Sequence, residues 1–323
     1  MTNKINVSII IPHYNSAKLL AKLLESIPVR SDIQIIVVDD NSTKDLDLLN
    51  DIVKNNIRDI DFYTNDTHVQ SAGACRNIGL KYAKGEWLLF ADSDDFFLNG
   101  MYENISKYFK SDNDIIFFEP TSVYLDTGDT SDRHIRLKKL LDDYIDDSSV
   151  ENEFKIKTKW GEPWSKLIRK SIVDDNGILF STSLHWNDAF FSAQIGFYAK
   201  KILAVKTQIY CVTRSRGSLT TIDSESAYYI RLNERIKEFS FIRSHYDKEL
   251  CAKAHLTGAR WLYEALFIRK MGVKNTIKIA HLFHKAKIPL FTKENLNPLY
   301  IIQGRRNFKA IMIKQNETYI VRE

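Results

Sequence analysis

Three carboxylates fall within four positions at Asp92-Ser93-Asp94-Asp95, directly after the apolar run Trp87-Leu88-Leu89-Phe90-Ala91. Carboxylates so close repel one another, so the arrangement calls for a divalent metal or a cationic ligand. Hard oxygen donors of this kind favour magnesium, manganese or calcium over zinc. The competing reading is a solvated acidic turn with Asp95 as the N-cap of a following helix. A second apolar run, Ile35-Ile36-Val37-Val38, also ends in acid, at Asp39-Asp40.

The elements that would position these residues alternate in kind. Val7-Ser8-Ile9-Ile10-Ile11 reads as a strand buried on both faces and is stopped by Pro12. Asn15 or Ser16 then caps a helix whose apolar residues Leu19, Leu20, Leu23, Leu24 and Ile27 follow a 3.6 period. After the second strand, Ser42 with Asp45 resembles a capping box for a helix carrying Leu46, Leu49, Ile52 and Val53. Asp61-Phe62-Tyr63 is a weaker strand, and Gly73 to Ala83 a helix closed by Gly85. Strand–helix alternation of this kind predicts an α/β fold with a doubly wound, mostly parallel sheet. Ligands of such sheets bind outside the carboxyl ends of the strands, which puts Asp40 and the Asp92 to Asp95 cluster in one crevice. Further strands are expected at Asp114 to Phe118 and Leu203 to Val212, and Asp126 to Asp147 reads as an exposed polar connection.

The bulk numbers suit a large α/β domain with an appendage. Of 323 residues, 44% are hydrophobic and 27% charged, as in soluble globular proteins. Cys75, Cys211 and Cys251 show neither pairing nor metal-ligand spacing, which fits a reducing cytosol. No signal peptide or membrane span is expected. The net charge of +5 hides an asymmetry: Tyr228 to Glu323 holds 19 Lys+Arg against 8 Asp+Glu, about +11, leaving about −6 elsewhere. Helices are expected at Ile230 to Ile242, Ala252 to Met271 and Ile277 to Ala286. The last has Ile279, Leu282, Phe283 and Ala286 on one face, which would lie on an anionic membrane or pack on the catalytic domain. No recognition module or aromatic platform accompanies the charge, so no nucleic-acid partner is expected.

Glycine-rich phosphate loops and paired zinc-binding histidines are both missing from the sequence, which weighs against nucleoside triphosphate hydrolysis, nicotinamide chemistry and zinc. In their place, Ser8-Ile9-Ile10-Ile11-Pro12-His13-Tyr14-Asn15, Val37-Val38-Asp39-Asp40-Asn41-Ser42, Gly73 through Gly79, Gly85-Glu86 and Ala91-Asp92-Ser93-Asp94-Asp95 together resemble the family 2 glycosyltransferases, nucleotide-sugar-dependent enzymes of the GT-A fold. Pro163-Trp164-Ser165-Lys166-Leu167 and Asn176-Gly177-Ile178-Leu179-Phe180 resemble the acceptor-side half of bacterial members that build surface polysaccharides.

The resemblance implies roles residue by residue. Pro12, Tyr14 and Asp40 would belong to the nucleotide pocket, with Asp40 accepting a hydrogen bond from the base. Arg76 belongs to a nucleotide-side motif near the acidic pocket. In Asp92-Ser93-Asp94, Asp94 would hold Mn2+ or Mg2+ on the donor diphosphate while Asp92 reaches the ribose and Ser93 lies between them. The inverting base would be Asp188, in a pair that is usually Glu-Asp and here is Asn187-Asp188; the alternative is that Asp188 only caps its helix. Arg214, Arg216 and Ser218 resemble a loop that closes over the diphosphate, and Trp164, His185 and Trp186 are candidates for a sugar-stacking wall. The whole implies a GT-A catalytic domain at 1–226, with a nucleotide-sugar half (1–120) and an acceptor half (121–226), followed by a basic helical region at 227–323. Its reaction would move a hexose or N-acetylhexosamine from a UDP-sugar to a lipid-linked glycan in lipopolysaccharide, O-antigen or capsule assembly. The setting would be cytoplasmic, peripheral on the inner membrane through the basic C-terminal helices. A non-catalytic sugar-nucleotide-binding subunit, favoured by Asn187, and a nucleotidyltransferase are the alternatives.

Overall fold

The computed structural model describes residues 4–55, 59–214 and 224–296. Arg216 and Ser218 therefore lie outside the described residues, as does the chain beyond residue 296. The chain divides into two compact units, residues 1–234 and 235–323.

The first unit is built on strands β1 (Val7–His13), β2 (Ile33–Asp39), β3 (Ile60–Thr64), β4 (Trp87–Phe90), β5 (Phe96–Phe97), β6 (Ile115–Tyr124), β7 (Lys166–Arg169) and β8 (Ile202–Arg214). They form one sheet in the order β3-β2-β1-β4-β7-β6-β8-β5. Around it stand helices α1 (Ala17–Ser26), α2 (Leu46–Asn55), α3 (Ala72–Tyr82), α4 (Met101–Ser106), α5 (Ile135–Asp146), α6 (Val150–Lys159), α7 (Lys170–Asp175) and α8 (Ala189–Tyr198). The first four ordered strands pair in parallel, as the β-branched runs predict. Beyond β4 the sheet is mixed: β7 is antiparallel to both β4 and β6, β5 is antiparallel to β8, and β6 and β8 are parallel. All seven residues of β1 and of β2 are buried, so both faces of these strands are covered.

Several local expectations are corrected by hydrogen bonding. Ser16 does not cap α1 with its side chain; its hydroxyl is 2.8 Å from that of Ser93. Ser42 forms no capping box for α2, because its hydroxyl donates to Asp39 and accepts from the Asn15 N–H at 2.8 Å. Gly85 is not a left-handed cap. A Cβ there would come within 2.4 Å of the Ser8 nitrogen, while the Gly85 N–H donates to the Ser8 hydroxyl at 2.8 Å. Glycine is required at position 85 for close backbone approach to β1. The polar stretch 126–147 is not simply a connection, since it contains α5, which buries Leu137 and Leu141.

The helix α9 (Glu225–His245) spans the division between the units. Within the second unit lie α10 (Lys248–Lys253), α11 (Ala259–Tyr263), a wide π-type turn (Glu264–Ile268) and α12 (Gly272–Lys285). The single helix expected over 252–271 is thus interrupted: His255 takes a positive φ of 55°, and the chain turns through Leu256 to Gly258 before α11 begins. The α12 face singled out in the sequence is not free. Ile279 and Phe283 are fully buried, and the Phe283 ring lies so near Gly258 that a Cβ there would meet it at 3.0 Å. That face is core of the second unit.

Candidate active site

At the carboxyl ends of β1 and β2 the backbone is held by one buried imidazole. His13 Nδ1 and Asp39 Oδ1 are 2.8 Å apart, and His13 Nε2 accepts the Ser16 N–H at 3.2 Å, so Nδ1 carries the proton. Asp39 also accepts the Ser42 N–H at 2.9 Å. Burial alone would raise the Asp39 pKa, but the bonds from His13 and Ser42 hold it below the usual value. Asp39 is therefore an organiser of the two loops. Asp40, also buried, accepts from Asn65 Nδ2 at 2.6 Å and faces the Cys75 thiol, whose pKa is raised by burial and by Asp40. Pro12 is buried within β1, whereas Tyr14 just beyond it is 48% exposed.

The acidic turn after β4 sorts its three carboxylates. Asp95 is buried, accepts the Tyr210 hydroxyl at 2.8 Å and the Thr213 N–H at 2.7 Å, and so pins the turn to β8. No helix starts there, so the N-cap reading fails. The Tyr210 hydroxyl in turn accepts the Asp92 N–H at 2.8 Å. Asp92 Oδ1 accepts from Arg76 Nη2 at 2.6 Å. Asp94 alone takes no side-chain bond from another residue among those described; its pKa is raised by burial and then by the charge of Asp92. A half-buried carboxylate that burial and a like charge both push toward neutrality fits a divalent cation, which would relieve both. Among the described residues no three His, Cys, Asp or Glu side chains gather into a metal cage. Asp94, with Asp92 beside it, is the donor set to consider, and Mg2+ or Mn2+ sites of one or two carboxylates are completed by substrate phosphates.

Helix α3 explains the motif around Arg76, which latches two parts of the site together. Arg76 is 5% exposed at its side chain and gives Nη1 to Asn187 Oδ1 at 2.9 Å while Nη2 holds Asp92. Asn77 exchanges two bonds with the backbone of Phe180, at 3.0 and 2.8 Å. A Cβ on Gly73 would strike the Ser181 carbonyl at 1.9 Å, and one on Gly79 would strike Ile10 at 2.4 Å. Together these side chains fasten the 180–187 loop to the acidic turn. Asn187 gives its amide nitrogen to the Ser183 carbonyl at 3.1 Å. In place of the carboxylate that the sequence pattern led one to expect, a neutral amide orients Arg76, leaving Asp92 as the charge that Arg76 pairs with.

Asp188 follows at the start of α8. It occupies the cap position with helical φ and ψ of −97° and −28°, and its side chain makes no capping bond. The cap-only reading is thereby disfavoured. Burial raises its pKa to about 6; Arg76 pulls it down, while Glu162 and Asp92 push it up. Beneath the helix, buried Lys166 gives Nζ to the Trp160 carbonyl at 2.7 Å and to Ser192 Oγ at 3.3 Å, and burial lowers its pKa to about 7. Trp186, just ahead, has a positive φ of 55°, an uncommon state for a bulky residue.

Two sequence candidates are buried. Trp164 is core: it is 2% exposed and stacked on Tyr210 with centroids 6.0 Å apart, so it forms no sugar wall. His185 is buried as well, its pKa lowered by burial and by Arg231. Arg214 ends β8 next to Thr213, whose hydroxyl donates to the Asp94 carbonyl at 2.7 Å, but its guanidinium is engaged by Asp132 at 2.5 Å. Tyr210 and Asn65 are site residues that the sequence reading missed. Tyr210 meets Asp95 across 115 positions, and no local pattern marks it.

A parallel half-sheet with carboxylates at its strand ends, joined to a mixed half, is the GT-A arrangement of glycosyltransferases. The family model described as "Glycosyl transferase family 2" matches residues 8–176, just over half of the chain, and the protein belongs to that family. It is 27% identical over 290 residues to the EpsH protein of Bacillus subtilis (strain 168), covering 83% of this chain and 82% of that one. In fold it is similar to S. aureus TarS 1-349 in complex with UDP-GlcNAc, with a TM-score of 0.62, 21% identity, and 87% of this chain and 80% of that one covered. It is similar also to the mannosyltransferase PcManGT of Pyrobaculum calidifontis in complex with GDP-Man and Mn2+, with a TM-score of 0.57, 16% identity, and 99% and 87% covered.

Proposed function

We propose that this glycosyltransferase moves a hexose or N-acetylhexosamine from a UDP-sugar, with inversion, to a lipid-linked glycan in bacterial surface polysaccharide assembly. The observation that carries the reading is Asp188: a carboxylate at a helix start with no capping bond, raised to about 6, whose neighbour Asn187 is tied through Arg76 to the acidic turn. A general base is most effective when its pKa lies near the working pH. Asp188 takes the proton of the acceptor hydroxyl as that oxygen bonds to the anomeric carbon. The bond from that carbon to the diphosphate oxygen breaks on the opposite face, its electron pair leaving with UDP.

The remaining residues hold this geometry. Asp40 receives the base, Tyr14 flanks it at the rim, Asp92 and Ser93 lie at the ribose, and Arg214 stands at the mouth of the crevice. Trp186 offers a face for the acceptor sugar. Mn2+ or Mg2+ held by Asp94, with Asp92 beside it, would supply charge stabilisation to the departing diphosphate. UDP-GlcNAc in one structural neighbour, and GDP-Man with Mn2+ in another, support a nucleotide-sugar donor and a metal. The acceptor places the enzyme peripherally at the cytoplasmic face of an anionic membrane.

A panel of UDP- and GDP-sugars tests the proposal, reading thermal stabilisation and slow donor hydrolysis with Mn2+ and with chelator. One UDP-sugar should stabilise the protein in a metal-dependent way. Stabilisation by no donor, with or without metal, would return the chain to the non-catalytic alternative.

A further inference from the structure

The second unit carries its own surface chemistry. From Ala265 to Lys293 there is no acidic residue, against seven Lys or Arg and the two histidines His281 and His284. Helix α12 turns Ile279 and Phe283 inward, which fixes what its other side presents. Val273 and Ile277, one turn apart, are 66% and 63% exposed, and Lys274, Lys278, His281, His284 and Lys285 beside them are exposed as well. At 3.6 residues per turn these seven side chains share an arc of about 140°. Exposed Phe267 and Lys270 precede the helix, and Lys287 and Phe291 follow it.

An apolar pair set among positive charges that meet no acidic partner among the described residues is costly to leave in water and is poorly suited to an ordinary protein partner, whose interface core excludes lysine. It matches a lipid surface, where branched apolar side chains enter the headgroup boundary and lysines meet anionic headgroups. We infer that the Val273, Ile277, Lys274 and Lys278 face of α12 is the surface by which the protein docks on an anionic bilayer. This deepens the peripheral-membrane part of the proposed function and uses the face opposite to the one the sequence suggested. It is independent of the roles given to Asp94 and Asp188.

Flotation of the full chain with phosphatidylglycerol-containing and with pure phosphatidylcholine vesicles tests it, at low and high salt. The wild type should float with anionic vesicles only, and less at high salt. K274E/K278E should lower that partition by roughly 10-fold or more, and V273S/I277S by several-fold. All four positions are exposed, so both variants should keep the wild-type circular dichroism, melting and UDP binding. Equal flotation with both vesicle types would overturn the inference, as would wild-type flotation of the charge-reversed variant. Light scattering that shows a wild-type dimer dissociated by V273S/I277S would assign the face to a second copy instead. Unchanged UDP binding in any of these outcomes keeps the catalytic reading separate.

Discussion

The acidic turn and the Asp188 loop reach one end by different routes. In the turn, three carboxylates are crowded together, and two of them are given partners: Asp95 takes hydrogen bonds from Tyr210 and Thr213, and Asp92 pairs with Arg76. Asp94 is left without a side-chain bond from another residue among those described, its pKa raised by burial and by Asp92. In the loop there is one carboxylate, and the neighbour that could have been a second is the amide Asn187, which is spent on Arg76 and Ser183. Asp188 is left without its helix-capping bond and also with a raised pKa. Each region leaves one carboxylate without a side-chain bond from another of the described residues, which under the proposed function would serve a cation at Asp94 and a proton at Asp188.

The comparison can be broken at either end. Asp94→Ala should have the largest effect, reducing turnover to background, a loss of roughly 10³-fold, and removing only the metal-dependent part of UDP affinity. Unchanged turnover would refute the metal assignment. Arg76→Met attacks the link between the regions: Asp92 and Asn187 lose a buried donor together, and the fold should lose about 3 kcal/mol or more in chemical denaturation. Arg76→Lys should rescue it poorly, because one ammonium cannot span both oxygens in the same geometry.

Asp188→Asn should cost about 10²-fold in turnover at unchanged melting temperature. With the wild-type carboxyl at about 6, the rate should fall as pH drops through 6, where the base becomes protonated, and stay level just above it. The variant's residual rate should lack that limb. Tyr210→Phe is the mildest test, since Asp95 keeps its bond from Thr213. About 1 kcal/mol of stability should go, with little change in UDP affinity.

How much of this could be read in the sequence follows from the range of each contact. The β1, β2 and β4 tips were legible because apolar runs ending in acid are local, and so was the parallel half of the sheet. The latch was not: Asn77 and Phe180 are 103 positions apart, so the Gly73 to Gly79 motif was visible while its partner was hidden. Ser16, Ser42 and Gly85 carried the right residue types for caps, but long-range bonds to Ser93 and Ser8, and a local bond from Ser42 back to Asp39, take the place of capping. Trp164 shows the limit of composition, since an aromatic near a sugar site and an aromatic in the core look alike until burial is known. In α12 the apolar face was legible, and only packing could tell that it meets the second unit's own core.

UDP titration by calorimetry, with and without Mn2+, on the wild type, Asp94→Ala and Asp188→Asn addresses the central claim most directly. The account predicts that Asp188→Asn binds UDP like the wild type in both conditions, while Asp94→Ala matches the wild type only when metal is withheld. If Asp188→Asn instead loses UDP affinity alongside Asp94→Ala, Asp188 holds the nucleotide pocket together and is not the base.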